Sequence, residues 1–223
     1  MGRQHISGRQ APTLFRLPED TEESVLGTNL HQQVIRELIN SLEWAARGPR
    51  WGVGGQTRIE GFHRSDGLQV PLLPDVFVYP RPWDSRRKSL SIADDGPPLL
   101  TIEVVSDSTW QGDVDIADGK VYAYGEAGVR EYLVFDPTGD ILPERVRAWR
   151  REGERMVSWL AGDDGRWHSH QLGVAFGVDG LFLRVYTAED TPIEFDLEAR
   201  NQLEHLRRQL GRLTGQEGDS SEQ

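Results

Sequence analysis

The first regular pattern of hydrophobic positions begins at Thr28 and has the spacing of an amphipathic helix. Apolar side chains recur every three or four residues, at Leu30, Val34, Ile35, Leu38, Ile39 and Leu42. Thr28 and Asn29 are good N-terminal caps, and Gly48-Pro49 ends the pattern. The sequence therefore predicts a helix from Thr28 to Gly48, with His31 near the centre of its apolar face. Such a histidine is either a satisfied core residue or a catalytic one.

Short apolar runs follow, and their length and β-branched content are typical of strands. Predicted strands cover residues 51–60 and 68–79, joined by a polar connection, and then 98–106 and 130–137. A helix is predicted over 113–126, between the last two strands. A strand, a helix and a strand in this order form a right-handed crossover, so those two strands should run parallel as near neighbours. The segment 80–97 has no clear period and is predicted to be a long loop.

The C-terminal part of the chain carries a hairpin pattern and then a second helical one. Residues 146–160 alternate around Glu152-Gly153, and 181–186 form another apolar run. Leucines then recur in two heptads, which could dock on the same chain or pair with a second copy. The predicted organisation is a flexible arm over 1–18, one domain over 19–190, a C-terminal helix with a short coiled-coil seam over 191–213, and a disordered tail over 214–223.

Composition narrows the class of protein. The chain has 223 residues with no cysteine, which excludes disulfide frameworks, thiolate metal sites and cysteine nucleophiles. No window has the apolar length of a membrane span, and the first residues lack a signal-peptide core, so a cytoplasmic location is expected. The net charge of -11 argues against a protein that coats polyanions. Two basic clusters, at 81–88 and 145–155, could still contact phosphates or simply face solvent.

The most informative residue is Glu103, because it lies in the middle of the apolar run 98–106. A carboxylate buried there should be protonated, paired with a cation or bound to a metal. Asp75 stands just before another apolar run, where it could also be an ordinary turn residue. Lys120 lies on the helix that follows Glu103. Two carboxylates and a lysine form a suitable set for phosphodiester hydrolysis assisted by Mg²⁺ or Mn²⁺.

The order of several motifs resembles the bacterial putative restriction endonuclease family of the PD-(D/E)xK nuclease superfamily. The resemblance rests on Leu-Pro-Asp75-Val-Phe-Val-Tyr, Leu-Thr-Ile-Glu103-Val-Val-Ser, the series Asp113, Lys120 and Tyr124, and Gly128-Val-Arg-Glu-Tyr-Leu-Val-Phe-Asp-Pro137. It covers about residues 23–188. The resemblance implies an α/β fold of the restriction-endonuclease-like type, with a mixed central sheet flanked by helices and the acidic pair at its centre.

The same resemblance implies roles for individual residues. Asp75 and Glu103 would be catalytic residues and metal ligands, with the backbone carbonyl of Val104 as a further ligand. The superfamily lysine usually stands two residues after the acid, where this chain has a valine, so its role would pass to Lys120. The supporting candidates are Glu23, His31 and Tyr124.

Three hypotheses follow. The first is a Mg²⁺-dependent or Mn²⁺-dependent endonuclease, with DNA as a more expected substrate than RNA. The second is a catalytically silent nuclease-fold module that binds or assembles through its C-terminal helix, which the acidic net charge favours. The third is hydrolysis of another phosphate ester by the same chemistry, since a fold does not fix a substrate. A homodimer is expected from the heptads, and no membrane partner is expected.

Overall fold

The computed structural model describes residues 22–46, 51–82, 84–106, 110–195 and 198, with the backbone alone for 22–28. Its helices are α1 (Glu22–Ala45), α2 (Ile92–Asp95), α3 (Trp110–Val114) and α4 (Lys120–Ala127). Its strands are β1 (Gly52–Gly54), β2 (Arg58–His63), β3 (Gln69–Leu72), β4 (Val76–Tyr79), β5 (Ser89–Ser91), β6 (Leu100–Val104), β7 (Glu131–Phe135), β8 (Val146–Glu152), β9 (Arg155–Ser158), β10 (Trp167–Ser169), β11 (Val174–Asp179) and β12 (Phe182–Tyr186).

A six-stranded mixed sheet with the order β1-β4-β6-β7-β8-β9 forms the centre of the fold. All five residues of β6 are buried, as expected of the apolar run around Glu103. β6 and β7 are parallel neighbours and α3 and α4 connect them, which confirms the predicted crossover. The other pairs in this sheet are antiparallel, including the β8-β9 hairpin predicted around Glu152-Gly153.

Side chains on the central strands alternate between two hydrophobic cores, one on each face of the sheet. On one face, Ile102 and Val104 pack in a core that includes α1 and the sheet β10-β11-β12. On the other face, Phe77 and Tyr132 pack in a core with α4 and the sheet β3-β2-β5. Glu103 alternates with Ile102 and Val104 and therefore lies on the α4 side. The crossover helix covers the carboxylate.

The two long strands predicted over 51–60 and 68–79 are each interrupted, which corrects the prediction. β1 and β4 pair in the central sheet, whereas β2 and β3 leave it and form a hairpin in the sheet β3-β2-β5. The break in the first strand falls at Gly55, where a Cβ atom would lie 2.2 Å from the carbonyl oxygen of Asp75. The second break contains Pro74, which cannot donate to a ladder.

Three further predictions differ from the structure. α1 begins at Glu22 and not at Thr28. The predicted loop over 80–97 contains β5 and the short helix α2. The predicted helix over 113–126 is two helices, because the chain turns between Val114 and Lys120. The carboxylate of Asp115 accepts hydrogen bonds from the amides of Ala117 and Asp118 and stabilises that turn.

The predicted arm over 1–18 and the tail over 214–223 lie outside the described residues, as does the predicted helix over 191–213 except for 191–195 and Glu198. The domain boundaries therefore stay predictions. None of the helices in the described part of the chain combines the length and apolarity needed to cross a membrane.

Candidate active site

Glu103 is the centre of a buried polar cluster between β6 and α4. Its Oε1 accepts a 2.6 Å hydrogen bond from the hydroxyl of Tyr124, and its Oε2 lies 3.0 Å from Nζ of Lys120. Both partners come from α4, one helical turn apart, so one face of the helix serves both carboxylate oxygens. Of the fates open to a buried carboxylate, the structure has Glu103 paired with a cation.

Lys120 bridges two buried carboxylates. Its Nζ lies 2.8 Å from Oδ1 of Asp113 on α3 as well as 3.0 Å from Glu103. The Glu103 and Asp113 side chains are 3% and 2% exposed, whereas that of Lys120 is 23% exposed. Lys120 is therefore the most exposed of these three side chains. Only two of the 25 basic residues in the chain are lysines, Lys88 and Lys120, and the other 23 are arginines.

Asp75 lies near Glu103, directly before β4. β4 and β6 are antiparallel with Val76 opposite Ile102, and Asp75 and Glu103 are the next residues along the two chains. The Oδ2 atom of Asp75 accepts a 2.9 Å hydrogen bond from the amide of Val104. Its Oδ1 atom has no hydrogen-bonding or ionic partner among the described residues. Repulsion from Asp75 contributes to the raised pKa of Glu103, so the proximity of the two carboxylates has a cost unless a cation joins them.

His31 brings α1 to the same site. Its Nε2 atom lies 3.0 Å from the carbonyl oxygen of Val104 and 3.4 Å from Oδ2 of Asp75. Both neighbours are acceptors, so the ring donates from Nε2. Burial lowers the pKa of His31, but the hydrogen bond to Asp75 and its charge outweigh burial, and the net shift is upward. His31 is a half-buried residue of the site and not part of the apolar core.

The electrostatics of the cluster follow from an excess of negative charge. Burial, with repulsion from Asp75 and Asp113, raises the pKa of Glu103 to about 7, although Lys120 and the Tyr124 hydroxyl act in the opposite direction. Burial lowers the pKa of Lys120, but attraction to Glu103 and Asp113 is stronger and raises it overall. Burial and the adjacent Glu103 raise the pKa of the Tyr124 hydroxyl far above its ordinary value. The lysine therefore stays protonated at neutral pH.

The donor set can be compared with the needs of a divalent cation. Among the described residues, no three His, Asp or Glu side chains are grouped closely enough to hold a metal ion by themselves. Mg²⁺ does not need such a cage, because it commonly binds one or two carboxylates and completes its shell with water and substrate phosphate. The carboxylates of Asp75 and Glu103, with the nearby Val104 carbonyl, fit that pattern.

For two predicted features of the site the described residues provide no test. Glu23 lies in α1, but its side chain is outside what the structure describes, so its role stays a prediction. In the basic cluster at 81–88, three arginines are already ion-paired: Arg81 and Arg87 with Asp95, and Arg86 with Asp84. Lys88 has no ionic partner in the described part of the chain. Contact of this loop with phosphates also stays a prediction.

Asp113 is a residue of the site that belongs to the motif series in the sequence but has no predicted role. It is buried, and its backbone carbonyl accepts a 2.8 Å hydrogen bond from the hydroxyl of Tyr132 on β7. The missed signal is the repeat of a glycine before a charged residue in Gly112-Asp113 and Gly119-Lys120. A Cβ on Gly119 would lie 2.3 Å from the Gly112 carbonyl oxygen, so the glycine at position 119 lets α3 and α4 touch.

Comparison with known proteins adds one finding. The family model described as Uma2: Putative restriction endonuclease matches residues 16–178, a span that includes every site residue named above. The match covers more than two thirds of the chain. No curated protein matches the chain. The mixed sheets flanked by helices are consistent with the restriction-endonuclease-like fold that was expected from the sequence.

Proposed function

The chain belongs to the Uma2 family of putative restriction endonucleases, and from this premise we propose that it hydrolyses nucleic-acid phosphodiester bonds with the help of Mg²⁺ or Mn²⁺. The observation that carries the proposal is the pairing of Lys120 with a buried Glu103 that lies close to the Asp75 carboxylate. This cluster contains three carboxylates and one ammonium group, and the unbalanced negative charge suits a divalent cation.

Asp75 and Glu103 would hold the metal, with the Val104 carbonyl as a further donor. The bound ion would polarise the phosphate and lower the pKa of a water molecule. Each protein group then has a distinct task. The Tyr124 hydroxyl and Lys120 orient Glu103, and His31 orients the Val104 carbonyl.

Lys120 is the group best suited to meet the substrate, because its cationic side chain, at 23%, is the most exposed of the cluster, ahead of His31 at 20% and Asp75 at 15%. In hydrolysis, a water oxygen bonds to phosphorus and releases a proton to solvent, the bond from phosphorus to the leaving oxygen breaks, and the leaving oxygen takes up a proton. An ammonium group beside the phosphate offsets charge that builds on the non-bridging oxygens. Two neighbouring carboxylates keep Lys120 cationic, so it contributes a fixed positive charge and does not accept a proton.

The test is cleavage of plasmid DNA, single-stranded DNA and RNA with Mn²⁺ or Mg²⁺, comparing the wild type with Glu103→Gln. The amide keeps the shape of the side chain but removes the negative charge. Glu126→Gln is a matched control, because Glu126 is an exposed glutamate on α4. We expect metal-dependent cleavage that is lost in Glu103→Gln and retained in Glu126→Gln. Equal activity in all three proteins would remove Glu103 from the site.

The second candidate, a catalytically silent module that binds or assembles, is favoured by one observation, the net charge of -11. A surface of that charge repels a polyanion over distances of about 10 Å. Absence of cleavage on every substrate, together with absence of Mn²⁺ binding by calorimetry, would favour this candidate. Mn²⁺ binding without cleavage on these substrates would instead direct the search to other phosphate esters.

A further inference from the structure

We infer that Asp113 is a positioning residue that holds the Lys120 ammonium beside Glu103, in the place from which it acts on the substrate. The inference rests on the proposed function for its substrate and adds a residue to which no role has been given. It is carried by geometry: the lysine is shared by two buried carboxylates from different elements, Glu103 on β6 and Asp113 on α3.

The first argument concerns the ion pairs of the ammonium group. Nζ of Lys120 lies 3.0 Å from Oε2 of Glu103 and 2.8 Å from Oδ1 of Asp113, and Lys120 has no other ionic partner among the described residues. With a single carboxylate, the flexible four-carbon side chain could turn its ammonium in many directions. With two carboxylates from different elements, the ammonium is held at one position between them.

The second argument concerns the support behind Asp113. Tyr132 donates a hydrogen bond from β7 to the Asp113 backbone carbonyl, and its ring packs against that of Tyr124 with centroids 4.8 Å apart. The same aromatic pair therefore holds both Asp113 and Glu103, the two carboxylates that flank the lysine. An aspartate whose backbone is held in this way can keep its carboxylate beside a flexible partner.

The third argument concerns the alternative that Asp113 and Lys120 form an ion pair that serves only stability. Burying two carboxylates beside one ammonium leaves a net negative charge, and buried ionic groups are a weak source of stability compared with apolar packing. Stability alone would be served by an apolar residue at position 113. Close contact of α3 and α4 also demands glycine at position 119. These costs are consistent with selection for the position of the lysine.

The test uses the fact that the chain has only two lysines. In a Lys88→Arg background, ¹⁵N-labelled lysine gives one side-chain ammonium signal, that of Lys120, which can be followed by NMR in full-length protein. We expect a slowly exchanging signal that is lost or strongly broadened in Asp113→Asn. Asp140→Asn is the matched control, because Asp140 is an exposed aspartate on a loop. Circular dichroism checks that each variant is folded.

A second experiment measures the cleavage rate of the same variants under single-turnover conditions. We expect Asp113→Asn to lower the maximal cleavage rate by about 10–100-fold, the range typical of groups that orient a catalytic residue, with KM unchanged. An unchanged ammonium signal in Asp113→Asn would overturn the inference, as would a lost signal with a wild-type rate. If the wild type cleaves nothing, the proposed function fails, while the NMR comparison still decides whether Asp113 fixes the ammonium.

Discussion

The hydroxyl of Tyr124 donates a 2.6 Å hydrogen bond to Oε1 of Glu103, and both groups are buried on the α4 face of the central sheet. The hydroxyl favours the charged form of Glu103 and so lowers its pKa, against the larger upward effect of burial. Tyr124 thus helps to keep the candidate metal ligand ionised near neutral pH.

Tyr124→Phe should therefore raise the pKa of Glu103 above about 7. If cleavage requires ionised Glu103, as proposed, the acidic limb of the pH–rate profile should move to higher pH, with the maximal rate at alkaline pH largely retained. The measurement is the metal-dependent cleavage rate across pH for both proteins. Tyr122→Phe is the control, because Tyr122 is a partly exposed tyrosine on the same helix. Superimposable profiles would mean that the hydroxyl does not tune Glu103.

Stability should depend on pH through the same carboxyl group. The pKa of Glu103 is raised from 4.5 to about 7 in the folded chain. Its stabilising contribution is therefore complete below the unfolded pKa and is lost as the pH rises through the folded one. A shift of this size corresponds to on the order of 3 kcal/mol. We expect the free energy of unfolding in urea to fall as the pH rises from about 5 to about 8.

Glu103→Gln isolates this effect, because glutamine does not titrate. The pKa of Glu131 is also raised, chiefly by burial, and contributes with the same sign. The informative quantity is therefore the difference in pH dependence between Glu103→Gln and the wild type. A flatter dependence in the variant is expected, with Glu126→Gln behaving as wild type. Parallel curves for all three proteins would mean that groups other than Glu103 cause the pH dependence of the free energy of unfolding.

Some features of this fold can be predicted from sequence because they depend on local pattern. The apolar run around Glu103 predicts a buried strand, and the crossover that follows fixes β6 and β7 as parallel neighbours. The breaks in the strand pair could not be predicted in this way. Gly55 fits a strand pattern, and its need for close approach to the Asp75 carbonyl arises only when β1 and β4 have paired.

The contact between Asp113 and Lys120 could not be predicted from helical periodicity either. In one continuous helix, residues seven apart are separated by about 10.5 Å along the axis. In the structure the chain turns between α3 and α4, and the two charged groups lie 2.8 Å apart. The sequence identifies the candidate residues, but the distances between them depend on the turn between α3 and α4.

His31 offers a test of the link between α1 and the metal site. His31→Leu removes the donor to the Val104 carbonyl, and Mn²⁺ affinity measured by calorimetry should fall by about 10–100-fold. His31→Gln should retain more of the affinity, since a side-chain amide can donate from a similar position. His168→Leu is the control, because His168 is exposed and is hydrogen-bonded to Asp164, away from Val104 in the chain. Equal losses in His31→Leu and His31→Gln would indicate a packing role instead.

The predicted homodimer can be tested by shortening the chain. Glu198 accepts hydrogen bonds from the buried Arg184, so a deletion that removes Glu198 would also destabilise the domain. Deletion of 201–223 keeps this pair and removes the heptad leucines Leu203, Leu206, Leu210 and Leu213. If the heptads pair two chains, light scattering should give a dimer mass for the full chain and a monomer mass for the shortened one. The same oligomeric state in both proteins would contradict the prediction.

The glycine contact between α3 and α4 gives the most direct test of the site's architecture. A Cβ at position 119 would lie 2.3 Å from the Gly112 carbonyl oxygen, whereas one at position 112 would meet nothing within 4 Å. Gly119→Ala should therefore separate the helices, with a cost of about 1–3 kcal/mol, and should move Lys120 away from Asp113. For a chain of this size that cost lowers Tm by about 2–4 °C per kcal/mol.

Gly112→Ala is the matched control, since it adds the same methyl group on the other side of the same contact. It lies inside α3, where alanine is favoured over glycine by about 1 kcal/mol, so Tm should stay the same or rise. Thermal unfolding followed by circular dichroism, with cleavage assays on both variants, makes the comparison. Loss of activity in Gly119→Ala alone would tie the reaction to the contact of the two helices. Equal behaviour of the two variants would mean that the turn adapts and that the contact does not position Lys120.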